Sequence, residues 1–209
     1  IKAIVIKSNI SKAFCAGGDI NEIYHLGKQA PKKALAFFHD EYTLIYKIHK
    51  LSKPFIAIID GIAMGGGLGL SLYASHVIGT EKLKMAMPET NIGFFPDVGG
   101  SYFLNKARGG FGLYMALTGQ VINAHEARYY GLIDHNIDSC DTDALIAKLK
   151  DADLTQDKIA SINAIIKPFD KPSVSIDLAL EKLINEYFIY TPSVKSIIAF
   201  LETDKHRGI

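Results

Sequence analysis

The 209-residue sequence predicts an α/β layered fold. Short apolar runs rich in β-branched residues, which are typical of buried strands, alternate with amphipathic patterns that are typical of helices. Glycine-rich turns stand between several of these strands and helices, and such alternation favours helices packed on sheets. A content of 48% hydrophobic and 22% charged residues is sufficient for a globular chain to bury a core.

Five apolar runs are predicted to be strands. Residues 1–7 are predicted to form a buried strand with nothing before it to pair with, so we expect the natural protein to begin upstream. Residues 54–60 are predicted to form a second buried strand, because they are apolar and bounded by Pro and Asp. Shorter strands are predicted at residues 75–80, 83–87 and 132–137.

Helices are predicted from capping residues and apolar spacing. Asp19 follows paired glycines and is a good helix-capping type, so a helix is expected to start there. Residues 31–50 form a predicted helix, because Pro31 suits a first turn and Phe37, Leu44 and Ile48 share an apolar stripe. Shorter helices are predicted to end at Ala74 and to span residues 98–105, 111–117 and 124–130.

The pattern changes near residue 139. From there, amphipathic helical segments are separated by breaks at Thr155, residues 167–172 and residues 191–192, and the last helix is predicted at 194–202. We therefore divide the chain into a core at residues 1–138, expected to lack its N-terminal strands, and a helical C-terminal region at 139–209, expected to continue beyond the sequence.

The composition argues against several classes of protein. A formal net charge of +1, with dispersed Lys and Arg, offers no basic surface for nucleic acid or lipid. The longest apolar stretches fall short of the roughly 20 residues that cross a bilayer, so no membrane span is predicted. Two cysteines, Cys15 and Cys140, suggest no disulfide framework and favour a reducing compartment. The seven histidines lack ligand spacing, so no metal is expected.

Two glycine-rich turns are candidates for ligand binding. Residues 65–67 are three successive glycines between a strand and a helix, where free N–H groups can approach a ligand and stabilise an oxyanion. Ala16, Gly17, Gly18 and Asp19 form a second turn before a helix. Taken singly, each turn is more often an ordinary packing turn, whereas two converging donors would form an oxyanion hole. A phosphate-binding loop fits less well, because no Lys-Ser or Lys-Thr follows.

Three acids stand in apolar surroundings. Glu89 and Asp97 lie in a segment otherwise rich in apolar residues, Gly and Pro, which would raise the pKa of an acid and suit it to acid–base work. Ile92, Phe94 and Phe95 are the neighbours expected to desolvate an acid in this segment. Two alternatives are equally compatible with the pattern: Glu89 as a solvated turn acid and Asp97 as a helix cap. Glu41 lies within the apolar helical stripe, and by default it reaches solvent at the edge of that stripe.

Three segments together carry a resemblance to a known family. They are AFCAGGDI at 13–20, GIAMGGGLGLS at 61–71 and MPETNIGFFPDVGG at 87–100. In this order and spacing they resemble the crotonase (enoyl-CoA hydratase/isomerase) superfamily, and the match covers residues 1–137. The chain is most similar to the 3-hydroxyisobutyryl-CoA hydrolase branch, which residues 197–203 also resemble. The resemblance implies a crotonase-like spiral of ββα turns, followed here by the helical C-terminal region.

The resemblance also implies roles for the two turns and for Glu89. The peptide N–H groups of Gly18 and Gly66 would form the oxyanion hole, so both count as catalytic groups. A CoA ester would lie across residues 16–19. Glu89 matches an acid of the superfamily and would attack the thioester or act as general base for water.

Gly69 bears on the choice of reaction within the superfamily. Hydratases carry a catalytic glutamate two residues after the glycine triplet, where this chain has Gly69, so hydration by a pair of glutamates is not expected. Asp97 and Glu41 match acids of the hydrolase branch; Asp97 would position water or a substrate hydroxyl, and Glu41 would contact the acyl end. The resemblance therefore implies hydrolysis of a short hydroxyacyl-CoA thioester, with 3-hydroxyisobutyryl-CoA, from valine degradation, as the expected substrate.

Two alternatives stay open. One is an enoyl-CoA hydratase or isomerase, and the other is a non-catalytic crotonase-fold subunit of a larger assembly. The expected partner is the acyl-CoA substrate; the resemblance is compatible with a homo-oligomer and leaves the oligomeric state open. No separate cofactor is expected, because coenzyme A is part of the substrate. The resemblance implies a cytoplasmic location in a bacterium and the mitochondrial matrix in a eukaryote.

Overall fold

The structure, a computed structural model, describes residues 1–172, 176–191 and 193–203. Strands and helices alternate along these residues as the sequence predicts. The strands are β1 (Ile4–Ile6), β2 (Ala13–Cys15), β3 (Phe55–Ile59), β4 (Ile62–Met64), β5 (His76–Thr80), β6 (Lys84–Ala86), β7 (Ile122–Asn123) and β8 (His135–Ile137). The helices are α1 (Ile20–Gln29), α2 (Pro31–His49), α3 (Gly66–Ser71), α4 (Gly100–Leu104), α5 (Phe111–Thr118), α6 (Ala124–Tyr129), α7 (Thr142–Lys150), α8 (Lys158–Ile166), α9 (Leu178–Phe188) and α10 (Val194–Thr203). Short 3-10 helices span Glu89–Ile92 and Ser139–Asp141.

The strands form two four-stranded sheets. The first has the order β1-β3-β5-β8 and is parallel throughout. The second has the order β2-β4-β6-β7, and β7 is antiparallel to β6. Each of three successive strand pairs, β1–β2, β3–β4 and β5–β6, gives one strand to each sheet and is followed by helical structure. The expected α/β fold with a spiral of ββα turns is therefore confirmed.

The order of strands in the second sheet brings three loops together. Strands β2, β4 and β6 are parallel neighbours, so their carboxyl ends meet at one edge of the sheet. The chain leaves these ends through residues 16–19, 65–67 and 87–89. Both glycine turns and Glu89 are thus placed at the same edge by the strand pairing alone.

The core packs on both faces of the first sheet. On one face, Ile56 and Ile78 join Leu145 of α7 in a cluster that also includes α8. On the other face, Ile59 and Val77 join a larger cluster that includes the second sheet, α5 and α6. Strands β3 and β5 are buried along their whole length. This burial explains the continuous apolar sequence of β3.

Two strand predictions need correction. The strand predicted as buried at residues 1–7 is an edge strand, β1, which pairs with β3 alone among the described strands and leaves Val5 37% exposed. Residues 62–64, interpreted as part of a turn, form strand β4, and the helix after it ends at Ser71 instead of Ala74. A three-residue strand between glycines carries too little pattern to be distinguished from a turn.

The helical predictions hold in outline. Helix α2 begins at Pro31 as predicted, but Leu44 is 49% exposed, and the buried stripe is formed by Ala34, Ile45 and Ile48. Helices α7 to α10 occupy the region predicted to be helical, whereas the domain boundary at 138/139 stays a prediction. The predicted break at Pro192 and residues 204–209 lie outside the described residues. No helix in the described part of the chain is long and apolar enough to span a membrane.

A close backbone contact fixes α3 against β2, and it predicts a stability change. A Cβ atom on Gly67 would overlap the carbonyl oxygen of Cys15, whereas one on Gly27, inside α1, would meet nothing within 4 Å. We expect Gly67→Ala to lower the free energy of unfolding by about 1–3 kcal/mol, the usual effect of overpacking. The control Gly27→Ala should raise it by about 0.5–1 kcal/mol, because Ala favours the helix interior. Urea denaturation followed by circular dichroism measures both, and a Gly67→Ala variant as stable as the control would contradict the contact.

Candidate active site

The carboxyl ends of β2, β4 and β6 open into a cavity of about 470 Å³. Helices α1 and α2 and the segment 88–97 complete its walls, which are mostly apolar. Seven of the eight residues that the sequence predicts for the site line it: Ala16, Gly17, Gly18, Glu41, Gly66, Glu89 and Asp97. The cavity therefore brings these residues together, while their chemical roles stay predictions.

The eighth residue, Asp19, has a different local contact. Its carboxylate caps α1 by accepting a hydrogen bond from the backbone N–H of Glu22 at 3.0 Å, as the sequence predicts for a helix start. Asp19 is not among the residues that line the cavity. The cap fixes where α1 begins, and the cavity wall is formed by the backbone just before it.

The two glycine turns lie so close together that a side chain on the first would contact the second. A Cβ atom on Gly17 would lie 3.5 Å from the amide nitrogen of Gly66 and 3.4 Å from the carbonyl oxygen of Met64. Gly17 has a φ of 98°, a conformation that side chains other than Gly rarely adopt. Gly66 is the first residue of α3, so its N–H has no carbonyl partner within that helix. This proximity places a free backbone donor beside the first turn.

Two carboxylates flank the glycine triplet. A Cβ atom on Gly65 would lie 2.9 Å from Oε1 of Glu89, and one on Gly66 would lie 2.5 Å from Oε1 of Glu41. Gly65 also has a positive φ, 51°. Any side chain at these positions would displace a carboxylate, so the triplet is explained by the two acids on its surface and not only by the turn.

Glu89 is a buried acid with an unused oxygen. It is 8% exposed, and its Oε2 has no hydrogen-bond partner among the described residues. Burial, followed by the charge of Asp97, raises the pKa of Glu89 to about 7. The alternative of a solvated turn acid is therefore wrong.

The cause of this burial differs from the one expected. Ile92 and Phe95, predicted to desolvate the acid, are 61% and 62% exposed. Ile92 and Phe94 line the cavity, and Phe94 and Phe95 stack with ring centroids 4.3 Å apart. The apolar segment therefore lies at the exposed side of the site, while Glu89 itself is turned inward against the glycine triplet.

Glu41 also faces the cavity. It is half-buried, and burial, followed by the charge of Asp97, raises its pKa. Its carboxylate lies against Gly66, so the default interpretation that it reaches solvent at the edge of the helical stripe is wrong. The charge of Asp97 thus acts on both other acids of the cavity.

Asp97 is held by a residue that the sequence did not single out. The hydroxyl of Tyr42 donates a hydrogen bond of 2.7 Å to Oδ2 of Asp97. The N-cap of α4 is Gly99, so the alternative that Asp97 caps the following helix is wrong. The one feature of the sequence that could have pointed to Tyr42 is its position directly after Glu41 on α2. Its pairing with Asp97, 55 positions away, is visible only in the tertiary structure.

Gly69 has no space for a side chain. A Cβ atom there would lie 2.7 Å from Cδ1 of Ile45 and 2.7 Å from Cβ of Val98. Among the described residues, Val98 alone has a positive φ without being glycine. The space beside Gly69, where the resemblance would place a glutamate in a hydratase, is therefore occupied by the side chain of Val98, a residue held in an unusual backbone conformation.

The chain is similar to known proteins of one family. The model of the enoyl-CoA hydratase/isomerase family matches residues 1–208. The mitochondrial 3-hydroxyisobutyryl-CoA hydrolase of Xenopus tropicalis is 40% identical over 207 residues, covering 96% of this chain and 53% of the relative. The small ribosomal subunit protein mS47 of Neurospora crassa is 37% identical, covering 98% of this chain and 43% of the relative.

A solved structure agrees with the family match. A carnitinyl-CoA dehydratase from Mycobacterium thermoresistibile superposes with a TM-score of 0.85 at 33% identity, covering 98% of this chain and 58% of the other. The chain spans about half the length of the two curated relatives. Because the family model covers nearly every residue and the fold agrees, the chain belongs to the enoyl-CoA hydratase/isomerase family.

Proposed function

We propose that this cavity hydrolyses a short hydroxyacyl-CoA thioester, with 3-hydroxyisobutyryl-CoA as the expected substrate. The observation that carries the proposal is the carboxyl group of Glu89, which is buried against the glycine triplet, in the cavity that the first glycine turn also lines. One of its oxygens has no partner among the described residues. A buried acid with a pKa near 7 in a cavity is a typical catalytic arrangement. Relatives named 3-hydroxyisobutyryl-CoA hydrolase support the substrate.

The proposed chemistry begins at the thioester carbonyl. Its oxygen accepts hydrogen bonds from the N–H groups of Gly18 and Gly66, which stabilise the charge that develops there. Glu89 then acts in one of two ways. As a nucleophile it bonds to the acyl carbon, the C–S bond breaks, the CoA sulfur takes a proton, and water cleaves the resulting anhydride. As a general base it takes a proton from the water that attacks the same carbon; the C–S bond then breaks, and the protonated carboxyl group passes its proton to the CoA sulfur.

The other two acids act on the substrate and on water. Asp97 positions the attacking water or the substrate hydroxyl, and Glu41 contacts the polar end of the acyl group. Both line the cavity that contains Glu89. An acyl group with a hydroxyl would supply a donor to these carboxylates, which an unsubstituted acyl group lacks.

Steric crowding at Gly69 supports hydrolysis over hydration. A second catalytic glutamate at this position would have to displace Val98 and Ile45, both of which are buried. Hydration of a double bond by a pair of glutamates therefore lacks one of its two acids. We expect hydration of crotonyl-CoA to be slower than thioester hydrolysis.

A role in a larger assembly is the second candidate, and the ribosomal-subunit relative favours it. Burial of Glu89 argues for catalysis instead, because a buried, unpaired acid lowers stability without serving a purely structural role. Purified protein that lacks turnover on a panel of short hydroxyacyl-CoA esters, and that sediments with small ribosomal subunits, would support the assembly role.

For a eukaryotic source, relatives named mitochondrial support the mitochondrial location, whereas the bacterial cytoplasm stays a prediction.

Replacement of Glu89 by Gln tests the proposed function. We expect Glu89→Gln to reduce CoA release from 3-hydroxyisobutyryl-CoA by at least about 100-fold, because the nucleophile or base is lost while the shape is kept. A thiol reagent that detects free CoA measures the rate. Glu22→Gln, at an exposed acid in the first turn of α1, is the matched control and should retain normal turnover. Near-normal turnover in Glu89→Gln would refute the assignment.

The pKa of Glu89 predicts how activity depends on pH. In the wild type, kcat/KM should rise with pH through about 7, because both mechanisms need the ionised carboxylate. The measurement is a pH–rate profile of thioester hydrolysis. An acid limb at the ordinary pKa of a glutamate, near 4.5, would contradict the assignment of Glu89.

The same shift predicts how stability depends on pH. Since the folded state raises the pKa of Glu89, ionisation opposes folding, and the wild type loses stability between about pH 4.5 and 7. Glu89→Gln lacks this titration. We expect it to be more stable than the wild type at pH 8, by up to about 3 kcal/mol, and to lose that advantage toward pH 4.5. Urea denaturation at both pH values measures the difference, which would be independent of pH if Glu89 did not titrate in this window.

A further inference from the structure

The turn that presents Asp97 to the cavity is held by two tyrosine hydroxyls. Tyr42, on α2, donates to Oδ2 of Asp97 at 2.7 Å. Tyr73 donates to the carbonyl oxygen of Gly99 at 3.0 Å. A Cβ atom on Gly99 would overlap that same tyrosine hydroxyl. Each end of the three-residue turn therefore has a hydroxyl donor from another part of the chain.

The middle of this turn is strained and anchored. Val98 has a φ of 45°, a conformation that costs a residue other than glycine about 1–3 kcal/mol. Its side chain is 3% exposed and lies beside Gly69 and Ile45. The packed valine keeps the turn in place, so the direction in which Asp97 leaves the backbone is fixed by the core.

The orientation of the Asp97 carboxylate depends on what it bonds to. Glu41 and Glu89 face the same cavity, and the charge of Asp97 raises the pKa of both. No Lys, Arg or His side chain from the described ranges lines this cavity. The carboxylate of Asp97 therefore shares the cavity with two other acids and is oriented by a neutral donor, the hydroxyl of Tyr42. A hydrogen bond to an ionised acceptor is stronger than one between neutral groups.

We propose that Tyr42 is a positioning residue: its hydroxyl holds the Asp97 carboxylate in the orientation that turnover requires, and it acts on the reaction only through Asp97. This inference rests on the proposed function. With Oδ2 bonded to Tyr42, Oδ1 is the oxygen left to position water or the substrate hydroxyl. Tyr42 itself lines a second cavity of about 320 Å³, together with Tyr46, His49, Tyr73 and Tyr102. Its hydroxyl is linked to the catalytic cavity through Asp97.

Tyr42→Phe tests the role in turnover, because it removes the hydroxyl and keeps the ring. We expect kcat for hydroxyacyl-CoA hydrolysis to fall about 10- to 100-fold, the effect of a misplaced catalytic group, with KM changed less than about 2-fold. Tyr46→Phe is the matched control, since Tyr46 lies on the same helix and lines the second cavity but is 62% exposed. It should leave kcat and KM unchanged. Unchanged kcat in Tyr42→Phe, or a rise in KM that accounts for the whole loss, overturns the proposal.

A double-mutant cycle with Asp97→Ala tests whether the hydroxyl of Tyr42 acts through Asp97. Melting temperatures of the wild type, Tyr42→Phe, Asp97→Ala and the double variant are measured by calorimetry. We expect Tyr42→Phe to lower the melting temperature in the wild-type background but not in the Asp97→Ala background, because the acceptor of the hydrogen bond is gone there. An equal fall in melting temperature in both backgrounds overturns the proposal.

A wild type without thioester turnover refutes the proposed function, and the positioning role with it. An active wild type with a normal Tyr42→Phe variant refutes the positioning role alone.

Discussion

Parallel pairing of β2, β4 and β6 is the constraint on which the site depends. Because three neighbouring strands run in the same direction, the loops that follow them meet at one edge of the sheet. One strand is followed by the first glycine turn, the next by the glycine triplet, and the third by Glu89. None of these loops contains a binding site by itself. The backbone contact of α3 with β2, at Gly67 and Cys15, then sets how closely the first two approach.

The acids of the site oppose folding, and the surrounding packing offsets this. Glu89 is buried with its pKa raised to about 7, and Glu41 shares a cavity with two further carboxylates. Such a cluster is stable only when the rest of the molecule fixes its geometry. Here the fixed parts are the buried strand β3, the stripe of α2 formed by Ala34, Ile45 and Ile48, and the anchored side chain of Val98.

Much of this organisation could be predicted from the sequence, and the rest could not for physical reasons. Strand β3 and helix α2 carry long apolar patterns, so their existence followed from periodicity, whereas β4 is too short to show one. The glycine turns were recognisable as candidates for ligand binding, but only the pairing of the strands shows that they lie side by side. Two features depend on tertiary contacts that the local sequence does not indicate. They are the exposure of Ile92 and Phe95 and the hydrogen bond from Tyr42 to Asp97.

Crowding between Gly69 and Val98 has a consequence for how reactions can diverge within the family. A single substitution that introduced an acid at position 69 would collide with Val98, and a smaller residue at 98 alone would leave a gap beside Ile45 and loosen the turn that carries Asp97. The two positions are therefore coupled, and we expect the stability changes of the two single substitutions not to add. An acid can therefore occupy position 69 only together with a change at position 98, and the substitution that admits it would also alter the turn that carries Asp97.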